Sequence, residues 1–344
     1  MAKKKILFTL GSPNQTRQMH KIANELPDYD CFFSQLFSNN TLIKLFVKSG
    51  LLDTTIMGGS IREKADVYLK EQYLRNDYAT KVFKNSYDLV VLCSDMLVTS
   101  DLRKTKTLFV QEGMTDPISS WARLMRHLSL PPYCALSTAF NGGNNIADIY
   151  CVASDGYKKQ FSGLGTEAER IFVTGIPNYD NVYSFHNNDF PLDDYILVAT
   201  SDVRETFRRD DREKFIASCV KIANGRQLVF KLHPNEKADR AIAEIKKFAP
   251  SDAIIFTEGN TEHMIANCKE LITQYSTVVY IGIALEKKVY SYFDIEELNQ
   301  LAPVQNGGKS ASNIADLCRS YLEFSGSRKD FPAFYLERFK QLCA

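Results

Sequence analysis

The chain has 344 residues, enough for two domains of ordinary size. Forty-two Lys and Arg against 41 Asp and Glu leave a formal charge of +1, which argues against a dedicated nucleic-acid binder. With 22 Phe, 17 Tyr and 44% hydrophobic residues, the chain falls outside the disordered class.

The first elements are short. Lys3-Lys4-Lys5 precedes an apolar run of only 6–10, and Gly11-Ser12-Pro13 ends it, too soon for a secretory segment. No stretch has the roughly 18 apolar residues of a spanning helix. The eight cysteines are scattered without CxxC or metal-ligand spacing. The expectation is a reduced, cytoplasmic chain with no metal and no cofactor.

Apolar, β-rich runs then alternate with stretches of helical period. Strands are predicted at 5–10, 88–93, 107–111, 149–153, 170–174, 195–200, 227–232, 253–257, 270–273 and 288–292. Helices are predicted at 15–25, 61–76, 204–223, 237–248, 262–268 and 277–285. Most strands are apolar throughout, as in parallel sheets covered on both faces. The fold class is therefore α/β, with two Rossmann-like doubly wound domains facing a cleft. The polar segment 183–194 suggests the boundary: an N-terminal domain at 1–185 and a C-terminal one at 186–344, with the C-terminal helix packing back on the first.

Ligands of open α/β sheets bind at the carboxyl ends of the strands, so candidate residues are sought there. After the first strand, Gly11, Ser12 and Gln15 open a helix whose N–H groups suit an anion or a sugar hydroxyl; an ordinary turn is the alternative. Gln111-Glu112-Gly113 follows the strand at 107–111, and Glu112 can serve as a general base or as a structural cap. Asp95 ends the strand before it. In the second half, Lys231, His233 and Pro234 follow the strand at 227–232, where an imidazole can donate to a phosphate. Ser276 and Thr277 stand at a helix start and suit either an anion or plain capping. Ser201 and Arg204 follow the strand at 195–200, and the guanidinium can fork onto a phosphate. Glu258 and Gly259 can meet a nucleobase or ribose, or form a solvated loop. Finally, 118–130 places Trp121, Leu124, Met125 and Leu128 on one helical face beside Arg123, Arg126 and His127. It is either a core helix or a peripheral contact with an anionic lipid-linked acceptor or the inner face of a membrane.

The order of these signals resembles the GT-B glycosyltransferase superfamily and its relative, the non-hydrolysing UDP-GlcNAc 2-epimerase. The likeness runs over most of the chain. Asp88 through Asp95, Val110-Gln111-Glu112-Gly113 and Glu169 through Asp180 resemble the epimerase's first-domain motifs. Tyr275 through Tyr280, with Ala284 through Val289, is similar to a stretch these proteins share. Glu112-Gly113, His233-Pro234 and Ser276-Thr277 resemble motifs of bacterial sialyltransferases and Kdo transferases. In that family the acidic residue is the base, and the His and Ser/Thr hold the CMP phosphate. The HP dipeptide is shared with CDP-dependent polyol-phosphate transferases. Two positions depart: Gln111 replaces the first acid of the transferase motif, and Ser201-Asp202-Val203-Arg204-Glu205 replaces the epimerase's His-Arg-Arg/Gln-Glu-Asn.

The resemblance implies an inverting, metal-independent glycosyltransferase with a nucleotide-sugar donor, carrying Kdo or sialic acid from CMP to a bacterial surface glycan or lipid-linked glycan. The alternatives are a UDP-GlcNAc 2-epimerase-like isomerase and a CDP-polyol phosphotransferase. From a different class, a non-catalytic glycan-binding protein fits the same fold.

Overall fold

The apolar runs assemble into two parallel sheets, one in each of two compact units: residues 1–180 with 306–344, and residues 181–305. The computed structural model describes residues 2–36, 38, 40–53, 55–77, 85–204 and 210–342. Residues 205–209 of the helix expected at 204–223 lie outside the described residues, as do Met1 and Cys343.

The first unit begins with β1 (Lys5–Leu10), α1 (Pro13–Asn24) and β2 (Asp30–Gln35), followed by α2 (Thr41–Lys48) and α3 (Gly59–Glu71). Next come β3 (Leu89–Leu92), α4 (Ser100–Lys104), β4 (Lys106–Val110) and α5 (Ser120–His127). It continues through β5 (Ile149–Val152), α6 (Asp155–Leu164) and β6 (Ile171–Val173). The strand order is β2-β1-β3-β4-β5-β6. The order reverses between β1 and β3: Phe8 faces Phe33 of β2 on one side and Val91 of β3 on the other. A crevice at the carboxyl ends of such a reversal is where ligands of open α/β sheets sit.

The second unit runs β7 (Ile196–Ala199), α7 (Arg212–Ala223), β8 (Leu228–Lys231), α8 (Ala238–Phe248), β9 (Ile254–Phe256) and α9 (Thr261–Asn267). It ends with β10 (Glu270–Thr273), α10 (Val279–Ala284), β11 (Lys288–Tyr290) and α11 (Ile295–Leu301). Its order, β11-β10-β7-β8-β9, reverses between β7 and β10.

Two expectations need correcting. The break falls at 180/181 rather than 185/186, and the return to the first unit, expected of the C-terminal helix alone, begins at Asn306. Helices α12 (Ser310–Glu323) and α13 (Phe331–Leu342) return to the first unit. Ile314, Leu317, Cys318, Tyr321 and Phe331 join one buried cluster with Ile6, Phe8, Val91 and Leu108. The Asp180 carboxylate accepts the Ser310 N–H at 2.6 Å, and Asn306 Nδ2 donates to the Thr174 carbonyl at 2.8 Å. At about 1.5–3 kcal/mol for each fully buried large apolar side chain, the returning helices are part of the first core.

Helix starts also shift. Thr277 was expected to open its helix, whereas α10 starts at Val279 and has six residues. Described helix α7 starts at Arg212, with Asp211 accepting the Lys214 N–H as its cap.

Candidate functional site

At the reversal of the first sheet, Ser12 caps α1. Its Oγ accepts the Gln15 N–H at 3.1 Å, while Gln15 Oε1 accepts the Ser12 N–H at 3.0 Å, a reciprocal capping box. The same Ser12 hydroxyl donates to Glu112 Oε1 at 2.9 Å, across 100 residues of sequence. The Gln15 side chain hydrogen-bonds the Glu112 carboxylate as well. Burial pushes the Glu112 carboxyl above the ordinary glutamate range, and the bonds to Ser12 and Gln15 only partly oppose it. The structure thus brings together Ser12, Gln15 and Glu112, three of the residues picked out by their strand-end positions.

Gly11 makes that arrangement possible. A Cβ there lies 2.2 Å from Gln15 Oε1 and 2.8 Å from Ile56 Cδ1. Gly11→Ala therefore drives the amide out of the capping box. The expected loss is about 0.5–2 kcal/mol, the range for a removed N-cap contact, read by thermal denaturation. Equal melting of the variant and the parent chain overturns this role for Gly11.

Gln111 and Asp95 are placed differently from the expected acceptor side. The buried Gln111 amide is used at both ends: Nε2 donates to the Gly113 carbonyl at 2.8 Å, and Oε1 accepts the Ala153 N–H at 2.9 Å. Gln18 Nε2 donates to the Gln111 carbonyl at 2.9 Å. Gln111 therefore locks the turn that carries Glu112, which a carboxylate with no N–H could not do. Asp95 is fully buried and accepts four bonds: Gly142 N at 2.8 Å, Asn144 N at 3.0 Å, Asn144 Nδ2 at 2.8 Å and the Tyr150 hydroxyl at 3.1 Å. Those donors shape the 141–144 loop around it. Burial raises the Asp95 carboxyl, and the four bonds oppose that shift. A carboxylate held this way braces a loop; correspondingly, Gly142 has φ +85°, and a Cβ on it meets the Phe161 ring at 2.1 Å.

At the carboxyl edge of the second sheet, His233 follows β8. Its backbone N–H is shared between Thr200 Oγ1 at 3.1 Å and Glu236 Oε2 at 2.9 Å. Its Nδ1 accepts the Asn235 N–H at 3.2 Å, and Asp202 Oδ2 stands 3.7 Å from that nitrogen. In the neutral imidazole this places the proton on Nε2, where it can donate. Pro234 is exposed beside it. Ser276 and Thr277 are half-buried in the turn between β10 and α10, and Ser276 Oγ accepts the Val278 N–H at 3.4 Å. Ser201 is buried, and its Oγ accepts the Tyr275 N–H at 3.2 Å, tying the ends of β7 and β10 together at the reversal.

Two expected donor-side residues, Arg204 and Lys231, have other partners. Arg204 makes a bidentate pair with Glu244, at 2.8 and 2.7 Å, so its fork is already filled. Lys231 is buried, and its ammonium donates to the Leu232 carbonyl at 2.8 Å and the Thr257 carbonyl at 3.3 Å. Desolvation lowers its pKa. Gly259 has φ +105°, a turn conformation ahead of Asn260, which caps α9; Glu258 next to it is solvent-exposed.

Sequence reasoning missed the brace behind His233. Glu236 accepts from Arg212 Nη2 at 2.6 Å and hydrogen-bonds the Thr200 hydroxyl, while Arg212 Nε faces Asp210 Oδ2 at 3.1 Å. All three charged side chains are almost wholly buried. The signal was present: Arg212, Ile216, Cys219 and Ala223 recur at the spacing of one helical face, and an arginine on a core face calls for a buried carboxylate.

Solved structures supply the comparison. A UDP-GlcNAc 2-epimerase from Neisseria meningitidis bound to UDP-GlcNAc is similar at 11% identity, covering 98% of this chain and 100% of the other, with a TM-score of 0.54. The epimerase from Rickettsia bellii is similar at 11% identity, covering 94% and 98%, with a TM-score of 0.53. The wall teichoic acid polymerase TagF is similar at 10% identity, covering 93% and 89%, with a TM-score of 0.50. No protein-family model and no curated protein matches the chain. The two parallel sheets have the GT-B architecture that the strand pattern and the motifs implied. The expected CMP-dependent sialyl- or Kdo-type transferase is corrected by the same finding, because the end-to-end likeness runs to UDP-sugar 2-epimerases.

Proposed function

We propose that the chain is an isomerase of the 2-epimerase type, which binds a UDP-linked N-acetylamino sugar and inverts its C2 centre with no acceptor substrate. The observation that carries this reading is Glu112, a carboxyl raised by burial and aimed by Ser12 and Gln15 at the reversal of the first sheet. A group raised in this way exchanges a proton nearer neutrality than an ordinary glutamate. C2 of such a sugar has no carbonyl carbon beside it to acidify its proton. Taking that proton therefore requires the C1 substituent to leave with the bonding electrons, and UDP is a competent leaving group. Return of a proton to the opposite face of C2 and of UDP to C1 restores the balance and yields the epimer. Within the second unit, we assign an anion-binding role to His233 Nε2–H with Ser276 and Thr277, and a nucleoside-binding role to the Glu258-Gly259 turn. The likeness to epimerases along the whole chain supports the choice of substrate.

Incubation with UDP-GlcNAc alone in deuterium oxide tests it. The expected result is UDP-ManNAc with deuterium at C2, seen by proton NMR. A protein that binds UDP by calorimetry yet gives neither epimer nor exchange overturns the proposal. One specific feature favours a second reading, a CDP-polyol phosphotransferase: His233-Pro234 at a strand end, together with the likeness to TagF. Consumption of a CDP-polyol only when a hydroxyl acceptor is added selects it.

A further inference from the structure

Helix α5 leaves part of its apolar side uncovered. Ala122 is buried in a small cluster with Ala135, Phe140 and Leu164, and this cluster is what holds the helix to the first unit. Arg126 donates to the Leu164 carbonyl and lies 4.9 Å from the Phe140 ring centre, and Trp121 Nε1 donates to the Cys134 carbonyl at 3.1 Å. Met125 is buried as well, but most of the larger apolar groups on and around the helix point outward. Trp121 is 50% exposed, Leu124 46%, Leu128 55% and Leu136 81%, with Ile118 and Leu130 also exposed. Six large apolar side chains within 19 residues form a patch of the kind a lone soluble surface avoids.

The charge around this patch is mostly positive, and the carboxylate at its edge, Asp116, is held by the Thr138 N–H and hydroxyl. No Asp or Glu occurs from 117 to 147, while Arg123, Arg126 and His127 flank the leucines. Helix α2 repeats the composition: Lys44 and Lys48 stand among exposed Leu45 and Leu51, with no acid from 31 to 52. Both helices follow carboxyl ends of strands in one parallel sheet, so both arise at the same edge of it. Among the described residues no helix is long and apolar enough to cross a membrane.

We infer that α5, with α2, is a docking surface for an anionic phospholipid bilayer, where leucines and Trp121 enter the interface and the cations face the lipid phosphates. An apolar face bordered mainly by basic residues is the composition of an interfacial helix, and this complementarity selects lipid over a second copy of the same positively charged face.

The chain's only tryptophan sits on this surface and reports on it directly. In the full chain, Trp121 emission is expected to shift to the blue with phosphatidylcholine vesicles containing phosphatidylglycerol, and not with phosphatidylcholine alone. Lipids brominated along their chains quench it. Arg123→Gln weakens vesicle affinity about fivefold, and raised salt weakens it further. Leu124→Ser with Leu128→Ser, both at exposed positions, weakens it by at least about tenfold while leaving the melting temperature in place. Emission unmoved by anionic vesicles in the folded protein overturns the proposal. So does a blue shift that grows with protein concentration in the absence of lipid, which would assign the face to self-association.

Discussion

Arg212→Met is expected to cost the second unit about 3–5 kcal/mol, the range for removing one partner of a buried ion pair. Glu236 loses its cation in a nearly dry site, while Asp210 keeps Arg204 Nε, at 3.5 Å. Glu236 keeps the Thr200 hydroxyl and the His233 N–H, but neither carries the opposite charge. Against a typical total stability of about 5–15 kcal/mol, such a loss is severe. Chemical denaturation followed by far-ultraviolet circular dichroism measures it. Arg212→Lys restores only part of the stability, since an ammonium cannot reach both carboxylates with a planar fork. Adding Glu236→Gln to Arg212→Met recovers much of the loss, because the orphaned charge is then removed with its partner. A single Arg212→Met variant as stable as the parent chain overturns the role of this network.

That network also marks where sequence reading stops. Strands β3, β5 and β7 were legible because each is an unbroken apolar run, as a parallel strand covered on both faces requires. Strand β2, at the sheet edge, was not, because Asp30, Ser34 and Gln35 interrupt its apolar residues. The return of α12 to the first unit rests on contacts between residues some 300 positions apart, such as Lys4 Nζ with the Leu322 carbonyl at 2.7 Å, and no local pattern encodes them. At the candidate site, position after a strand picked out Ser12, Gln15 and Glu112, which the fold joins by hydrogen bonds. It failed for Arg204 and Lys231 because strand-end position does not say whether a long cationic side chain finds a nearer carboxylate or carbonyl. Residue type failed for Gln111 in the same way: its value lies in having both a donor and an acceptor, and only the fold shows what lies on either side.

The second large effect is expected at Glu112, where stability and activity should move in opposite directions. Glu112→Gln keeps the shape and can still hydrogen-bond Ser12 and Gln15, but it cannot take a proton. Epimerisation of UDP-GlcNAc should fall about 10²–10⁴-fold, the usual contribution of a positioned acid or base, with UDP affinity unchanged. The pH dependence follows from the direction of the shift. The folded-state pKa of Glu112 is raised by burial above the unfolded value of about 4.3. The stabilisation associated with its neutral form is complete below the unfolded value and is lost as pH rises through the folded one. Glutamine has no such loss, so the variant gains on the parent chain as pH rises and melts at a higher temperature under neutral conditions. Activity of the parent chain runs the other way, because a proton acceptor must be ionised. Its rate therefore climbs with pH through the same raised pKa, above the range where an ordinary glutamate would already be ionised. Melting curves and rate profiles recorded over the same pH series should share one inflection. Parallel melting curves for the two proteins, or parent-level turnover in Glu112→Gln, would remove Glu112 from the reaction and leave Ser12 and Gln15 as its structural neighbours only.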